Sequence, residues 1–146
     1  AENNHPIDIS LADISAARVA GAAVVQHTPV IPSAYLSELL NAPIVLKAES
    51  LQRTGAFKIR GAMNKIARLG DAAKSGVVTG SAGNHAQGLA LAAKHFGIAC
   101  EIYVPNKCFF NEVNLRAIAS SDKRTITSLA PALPIICPVI LTKSNP

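Results

Sequence analysis

Aromatic residues make up only 4% of the chain and charged residues 16%, and no basic run is longer than the pair Lys123-Arg124. Lacking such a run, the excess of 14 Lys and Arg over 9 Asp and Glu, a formal net charge of +5, speaks for an anionic small ligand and against nucleic acid. The three cysteines, Cys100, Cys108 and Cys137, form no Cys-x-x-Cys pair and have no histidine at metal-ligand spacing. That argues against a disulfide framework or a metal site and for reduced thiols. The longest apolar stretch, Leu129 to Leu141, is 13 residues long and holds three prolines, too short and too broken to cross a bilayer. The polar amino terminus, Ala1 to Pro6, lacks the basic-then-apolar layout of a signal peptide. No membrane and no secretion are expected. The cytoplasm is the expected compartment, with a plastid or mitochondrion as the alternative, because a chain that does not begin with Met can have lost a transit segment.

Hydrophobic residues at 49% place the chain among globular sequences. Two runs carry its chemistry. Ser50-Leu51-Gln52-Arg53-Thr54-Gly55-Ala56-Phe57-Lys58-Ile59-Arg60-Gly61-Ala62 fixes one lysine between an aromatic residue and an Arg-Gly-Ala step. Gly80-Ser81-Ala82-Gly83-Asn84-His85-Ala86-Gln87-Gly88 follows 18 residues later. A lysine held in this way suits Schiff-base chemistry, since a mobile surface lysine could not orient an aldehyde. In the second run glycines permit close backbone approach, and N–H groups at a helix start can bind a carboxylate or phosphate.

The flanking pattern reads as α/β. Ser10 caps an amphipathic helix expected through about Val25, with Leu11, Ile14, Ala22 and Val25 as its apolar stripe. Ser33 caps a short helix through Leu40, and Ile44 to Ala48 reads as a buried-type strand that delivers the chain to the lysine loop. Apolar positions from Ile59 to Leu69 recur at helical spacing up to Gly70, which puts Lys58 at a helix amino terminus. Val77-Val78-Thr79, a helix from about His85 to Phe96 with Ala86, Leu89, Ala90, Ala93 and Phe96 on one face, and Cys100 to Val104 form a βαβ unit. Its two strands are expected parallel, with the anion loop at the carboxyl end of the first.

These residues resemble the serine/threonine dehydratase family, pyridoxal-phosphate enzymes of fold type II, and the threonine dehydratases within it most of all. The likeness covers about residues 11–105. The first run has the family's form Gln-x-Thr-Gly-small-Phe-Lys-x-Arg-Gly-Ala, and the second matches Ser-x-Gly-Asn-His-Ala-Gln-Gly throughout. The resemblance implies that Lys58 holds pyridoxal 5'-phosphate and acts as the catalytic base, with Phe57 beside the cofactor and Asn84 hydrogen-bonding its ring hydroxyl. It further implies that Ser81, Gly83, Asn84 and His85 clasp the substrate carboxylate. For Asn84 a simple helix-capping role stands beside this, and Phe57 reads equally well as core. The implied reaction is dehydration and deamination of L-threonine to 2-oxobutanoate, or of L-serine to pyruvate, with release of ammonia. Isoleucine biosynthesis is the pathway this suggests. Related serine racemases carry a second serine as an acid where this chain has Ala82, so elimination is favoured over racemisation.

Beyond Pro105 the resemblance fades. Glu112, Ser120-Ser121-Asp122 and Lys123-Arg124 replace the family's residues, Val113 to Ala119 reads as helical, and the sheet is expected to end near Val104. The expected organisation is the start of a large cofactor domain over 1–70, part of a small α/β domain over 71–124, and a divergent proline-rich tail over 125–146. This is a partial fold type II architecture, incomplete at its carboxyl end, and relatives of full length are expected to be homo-oligomeric. Two other classes stay open: a non-catalytic product or partner module, and a nucleotide-binding βαβ domain using Gly80-x-x-Gly83, whose spacing fits neither common nucleotide fingerprint.

Overall fold

The computed structural model describes residues 9–105, together with the backbone of Arg124–Leu129 and Leu141–Thr142. The elements run α1 (Leu11–Gly21), β1 (Val30–Pro32), α2 (Ala34–Leu39), β2 (Val45–Lys47), α3 (Lys58–Leu69), β3 (Val77–Gly80), α4 (Asn84–Phe96), β4 (Cys100–Pro105), β5 (Arg124–Leu129) and β6 (Leu141–Thr142). β3 and β4 pair in parallel with α4 between them, the expected βαβ unit. The sheet order is β5-β4-β3-β6, and β1 and β2 form a separate antiparallel pair.

The core lies between α3 and α4 and beneath them on β3 and β4. Ile59, Met63 and Ile66 of α3, Leu89 of α4 and Val77 of β3 are fully buried. Each such side chain withdraws enough apolar surface to contribute about 1.5–3 kcal/mol. α3 has the clearest two-faced pattern: its buried residues, Ile59, Ala62, Met63 and Ile66, recur at steps of three and four, which stacks them on one side. It ends where Gly70 takes φ +52°, a conformation costly for other residues. In α4 the burial is broader than one stripe, because Gly88 and Ala92 are buried along with Ala86, Leu89, Ala90 and Ala93. Phe96, expected on the apolar face, is 37% exposed at the helix end.

The breadth of α4's burial follows from Gly88. A Cβ at that position would lie 3.0 Å from the Ile59 backbone N and 3.1 Å from the Lys58 carbonyl carbon. The backbone of α3's first turn therefore rests directly on α4, closer than any side chain would allow.

Three expectations are corrected. α1 is sealed at its start by the Ser10–Asp13 capping box but stops at Gly21 instead of Val25, since the Val24 and Val25 amides both turn back to the Gly21 carbonyl. Its outer stripe is not packed among the described residues, with Leu11 and Ile14 exposed. The strand expected to be buried, β2, is also exposed. An apolar run marks a strand that suits burial, and β2 pairs only with the equally short β1, through Val30↔Lys47, Ile31↔Leu46 and Pro32↔Val45, with no second layer over them among the described residues.

Nor does the sheet end near Val104. β5 extends it in parallel, from Cys100↔Arg124 to Pro105↔Leu129, and Leu141–Thr142 pairs antiparallel with β3. Sheet pairing uses backbone groups, and Thr125, Ile126 and Thr127 are β-branched residues that suit a pleated strand even without a continuous apolar run. The prolines of the tail begin only after this strand. The helix expected over Val113 to Ala119 lies outside the described residues.

Substituting Gly88→Ala should force α3 and α4 apart by a few tenths of an ångström and lower stability by about 1–3 kcal/mol, the usual cost of overpacking against an unyielding neighbour. Thermal or urea unfolding reads it; an unchanged midpoint would mean that the close approach carries no weight.

Candidate active site

Lys58 is the first residue of α3, with Phe57 at the capping position. The loop that leads to it alternates in burial: Gln52, Thr54 and Ala56 point inward, while Leu51, Arg53, Gly55 and Phe57 face out. Phe57 is 57% exposed, so it is not a core residue, and its ring centroid lies 5.0 Å from the half-buried Lys58 Nζ, within range of a cation–π contact. A cation in the first turn of a helix meets the positive end of the backbone dipole. The first turn of α3 holds no acidic side chain, so nothing within it compensates.

The second run forms the turn between β3 and α4. The Ser81 amide donates to the Tyr103 carbonyl of β4, which extends the parallel pairing by one bond, and the Ser81 hydroxyl accepts from the Gly83 N–H at 3.3 Å. Gly83 takes the capping position of α4 without a side chain to close it. Asn84, considered above as a cap, is instead the first helical residue and exposed. The first turn of α4 likewise lacks acidic residues, which leaves its N–H groups available to an anion.

Among the described residues, two buried side-chain polar atoms have no hydrogen-bond partner: Thr79 Oγ1 and His85 Nε2. Thr79 lies within β3 and His85 in the first turn of α4. Buried polar atoms are nearly always satisfied, so the open nitrogen of His85 beside this turn marks a candidate ligand contact. Burial, and then the nearby positive charge of Lys58, hold the His85 imidazole below its ordinary titration range, and it is neutral at physiological pH.

The structure thus brings Lys58 and Phe57 at the start of α3 beside His85 and the 81–84 turn at the start of α4, joined through the Gly88 contact. Residues not foreseen as a unit stand behind the lysine loop. Arg60 forks onto both oxygens of Glu49, Nε at 2.8 Å and Nη2 at 2.7 Å, and Thr28 Oγ1 donates to the same carboxylate. Arg60 and Gln52 belong to the motif, but nothing in the spacing pairs them with Thr28 or Gln26. A cavity of about 410 Å³ has Arg60 in its wall and is otherwise lined by α1 and the segment after it, including Arg18, Val25 and His27. None of the expected site residues lines it. His95 stands edge-on to Phe96 at 5.1 Å, a packing role. Cys100 is buried in β4, while Cys108 and Cys137 lie outside the described residues. No cluster of metal-ligating residues and no helix long and apolar enough to cross a membrane occurs among the described residues.

Residues 22–128 match the model of a family described as pyridoxal-phosphate dependent enzyme, a match that runs past Pro105, where the motif resemblance fades. The chain is 53% identical over 98 residues to the L-threonine ammonia-lyase of Thermotoga maritima, covering 66% of this chain and 24% of that protein. It therefore spans about a quarter of the length of that relative. In three dimensions it resembles maize serine racemase, with a TM-score of 0.74 and 35% identity over 85% of this chain and 37% of the other. It also resembles the T.th. threonine deaminase, with a TM-score of 0.67 and 33% identity over 86% of this chain and 38% of the other. The donor set fits the expected cofactor and substrate: an amine at a helix start, a neutral imidazole with an open nitrogen, and a turn of small residues with room where side chains would be at Gly80 and Gly83.

His85 yields a pH test. Its folded titration point lies below the ordinary value of 6.5, so the folded state binds fewer protons than the unfolded one. The stability this provides is complete above 6.5 and is lost as pH falls through the folded value. His85→Asn should flatten the pH dependence of the unfolding midpoint below pH 6.5; a wild-type slope retained in the variant would show that His85 is not its source.

Proposed function

Because the chain belongs to the pyridoxal-phosphate-dependent enzyme family, we propose that it carries the lysine and carboxylate-binding parts of a threonine dehydratase site. The observation that supports this most is the seating of Lys58 directly on α4, beside the open Nε2 of His85. When bound, pyridoxal phosphate supplies an electron sink for charge left at the substrate's α-carbon. Lys58 Nζ would be the nucleophile that holds the cofactor's aldehyde, and the base that takes the substrate's α-proton. Phe57 would pack beside the cofactor and Asn84 would hydrogen-bond its ring hydroxyl. Ser81, Gly83, Asn84 and His85 hold the substrate carboxylate, where the α4 amide groups favour negative charge. The substrate's β-hydroxyl leaves, and the products are ammonia and 2-oxobutanoate from L-threonine or pyruvate from L-serine.

In this reading residues 1–70 begin the larger cofactor domain, and the smaller α/β domain runs from 71 to include the strand ending at Leu129. The amino acid is the only partner required of the site itself, and full-length relatives assemble as homo-oligomers. The cytoplasm or an organelle matrix suits such an enzyme. A second reading, serine racemase, draws on the likeness to the maize enzyme. Ala82 weighs against it, since a methyl group has no proton to deliver to the opposite face of the substrate.

Two measurements test the proposal. Incubation with pyridoxal phosphate, borohydride reduction and peptide mapping should put the label on Lys58, and Lys58→Ala should abolish it; label confined to other lysines would refute the assignment. In the chain joined to the rest of a family enzyme, Ala82→Ser should raise the ratio of D-serine to pyruvate formed from L-serine by up to about tenfold. An unchanged ratio would remove the role assigned to this position.

A further inference from the structure

Lys58 leaves α3 at its first position, and the direction of that turn is set by a polar junction behind it. Gln52, at the start of the lysine loop, binds Gln26 twice: its Nε2 donates to the Gln26 carbonyl at 2.9 Å, and its Oε1 accepts from the Gln26 amide at 2.8 Å. Arg60, just past the loop, forks onto Glu49, which also accepts from Thr28 at 2.5 Å. Lys47 Nζ donates to the Thr28 carbonyl. The segment 26–28, the segment 47–52 and the first turn of α3 are thus fastened together, and the loop between is held at both ends.

The fork makes this more than a tether. A planar guanidinium bonded through two nitrogens to one carboxylate fixes the rotation of the group as well as its position, which a lysine ammonium would not do. Residues two apart on a helix point about 200° from one another, so Arg60 is anchored behind α3 while Lys58 faces away from that anchor. The Glu49 side chain is 17% exposed and Arg60 40%. The bidentate geometry and the shared Thr28 bond give this pair a part in stability, and at the same time they fix the rotation of the turn that carries Lys58.

We propose that Glu49 and Arg60 are positioning residues for Lys58, which lock the rotation of α3's first turn so that Nζ emerges toward the 81–85 turn. The proposal rests on the reading of Lys58 as the cofactor lysine. It adds that selectivity for Lys58 over the other lysines comes from this locked turn.

The test uses the full chain, with pyridoxal phosphate and borohydride as the probe and Arg60→Lys and Glu49→Gln as variants. Arg60→Lys keeps the charge and loses the fork. The expected result is a loss of up to about a hundredfold in the share of label on Lys58 relative to the other lysines, the order of penalty for a reactive group misplaced by about an ångström. Amide hydrogen exchange should also quicken in 53–58 and stay unchanged in α4. Variants that fold and label Lys58 in the wild-type proportion would overturn the proposal, even if their melting points fall, because that is the signature of a purely structural ion pair. Should both fail to fold, Thr28→Val, which removes a single bond to Glu49, decides by the same share of label: a drop supports the proposal and an unchanged share overturns it. A wild-type chain with no preference for Lys58 is a different result, recognisable before any variant is made. It would sink the functional reading and this inference together.

Discussion

The contact between Gly88 and the backbone of Lys58 and Ile59 is the constraint on which the rest of the molecule depends. It sets how closely α3 and α4 approach, and from that distance follow the burial of Ile59, Met63 and Leu89 and the seating of both helices on the βαβ unit. It also fuses architecture with chemistry. The same backbone atoms that fill the space over Gly88 belong to the lysine and its neighbour, so core packing places the reactive amine.

Much of this was legible in the sequence wherever a local signal and a periodic one agreed. Ser10 with Asp13, the helical spacing from Ile59 to Leu69, and strand–helix–strand over 77–105 were each fixed by neighbours in the chain. The two motifs placed Lys58, Phe57 and the 81–85 turn at helix starts, where the structure has them. Long-range partners left no such mark. Thr28 and Gln26 find Glu49 and Gln52 across the fold, and no periodicity connects residues so distant. The same blindness explains β2, whose apolar run showed suitability for burial without showing whether anything covers it. It explains β5 as well, where prolines farther along drew attention from a short β-branched strand that needed only backbone partners.

The Glu49 carboxylate shows how the polar junction is wired. Its donors, Arg60 foremost, hold its titration point down to about 2 from an ordinary 4.5. The depressed value means that the ionised form is favoured by folding, so the stabilisation is complete above pH 4.5 and fades as acid approaches pH 2. Across the neutral range the junction is permanently charged and does not switch, as suits a fixture.

Lys58 itself stands where a stability-minded sequence would put an aspartate or a serine. An ammonium at the positive end of α3, with no acid in that turn, works against its own helix by a few tenths of a kcal/mol or more. The protein with its amine unengaged is therefore weaker than it would be with that amine removed, and an acidic or neutral residue there would give a sturdier, inert molecule. Ligand capture and thermal robustness are set in opposition at a single side chain. The anion that neutralises this end of the helix also relieves its frustration, so the folded state gains most from the ligand at the place where the bare chain is least content.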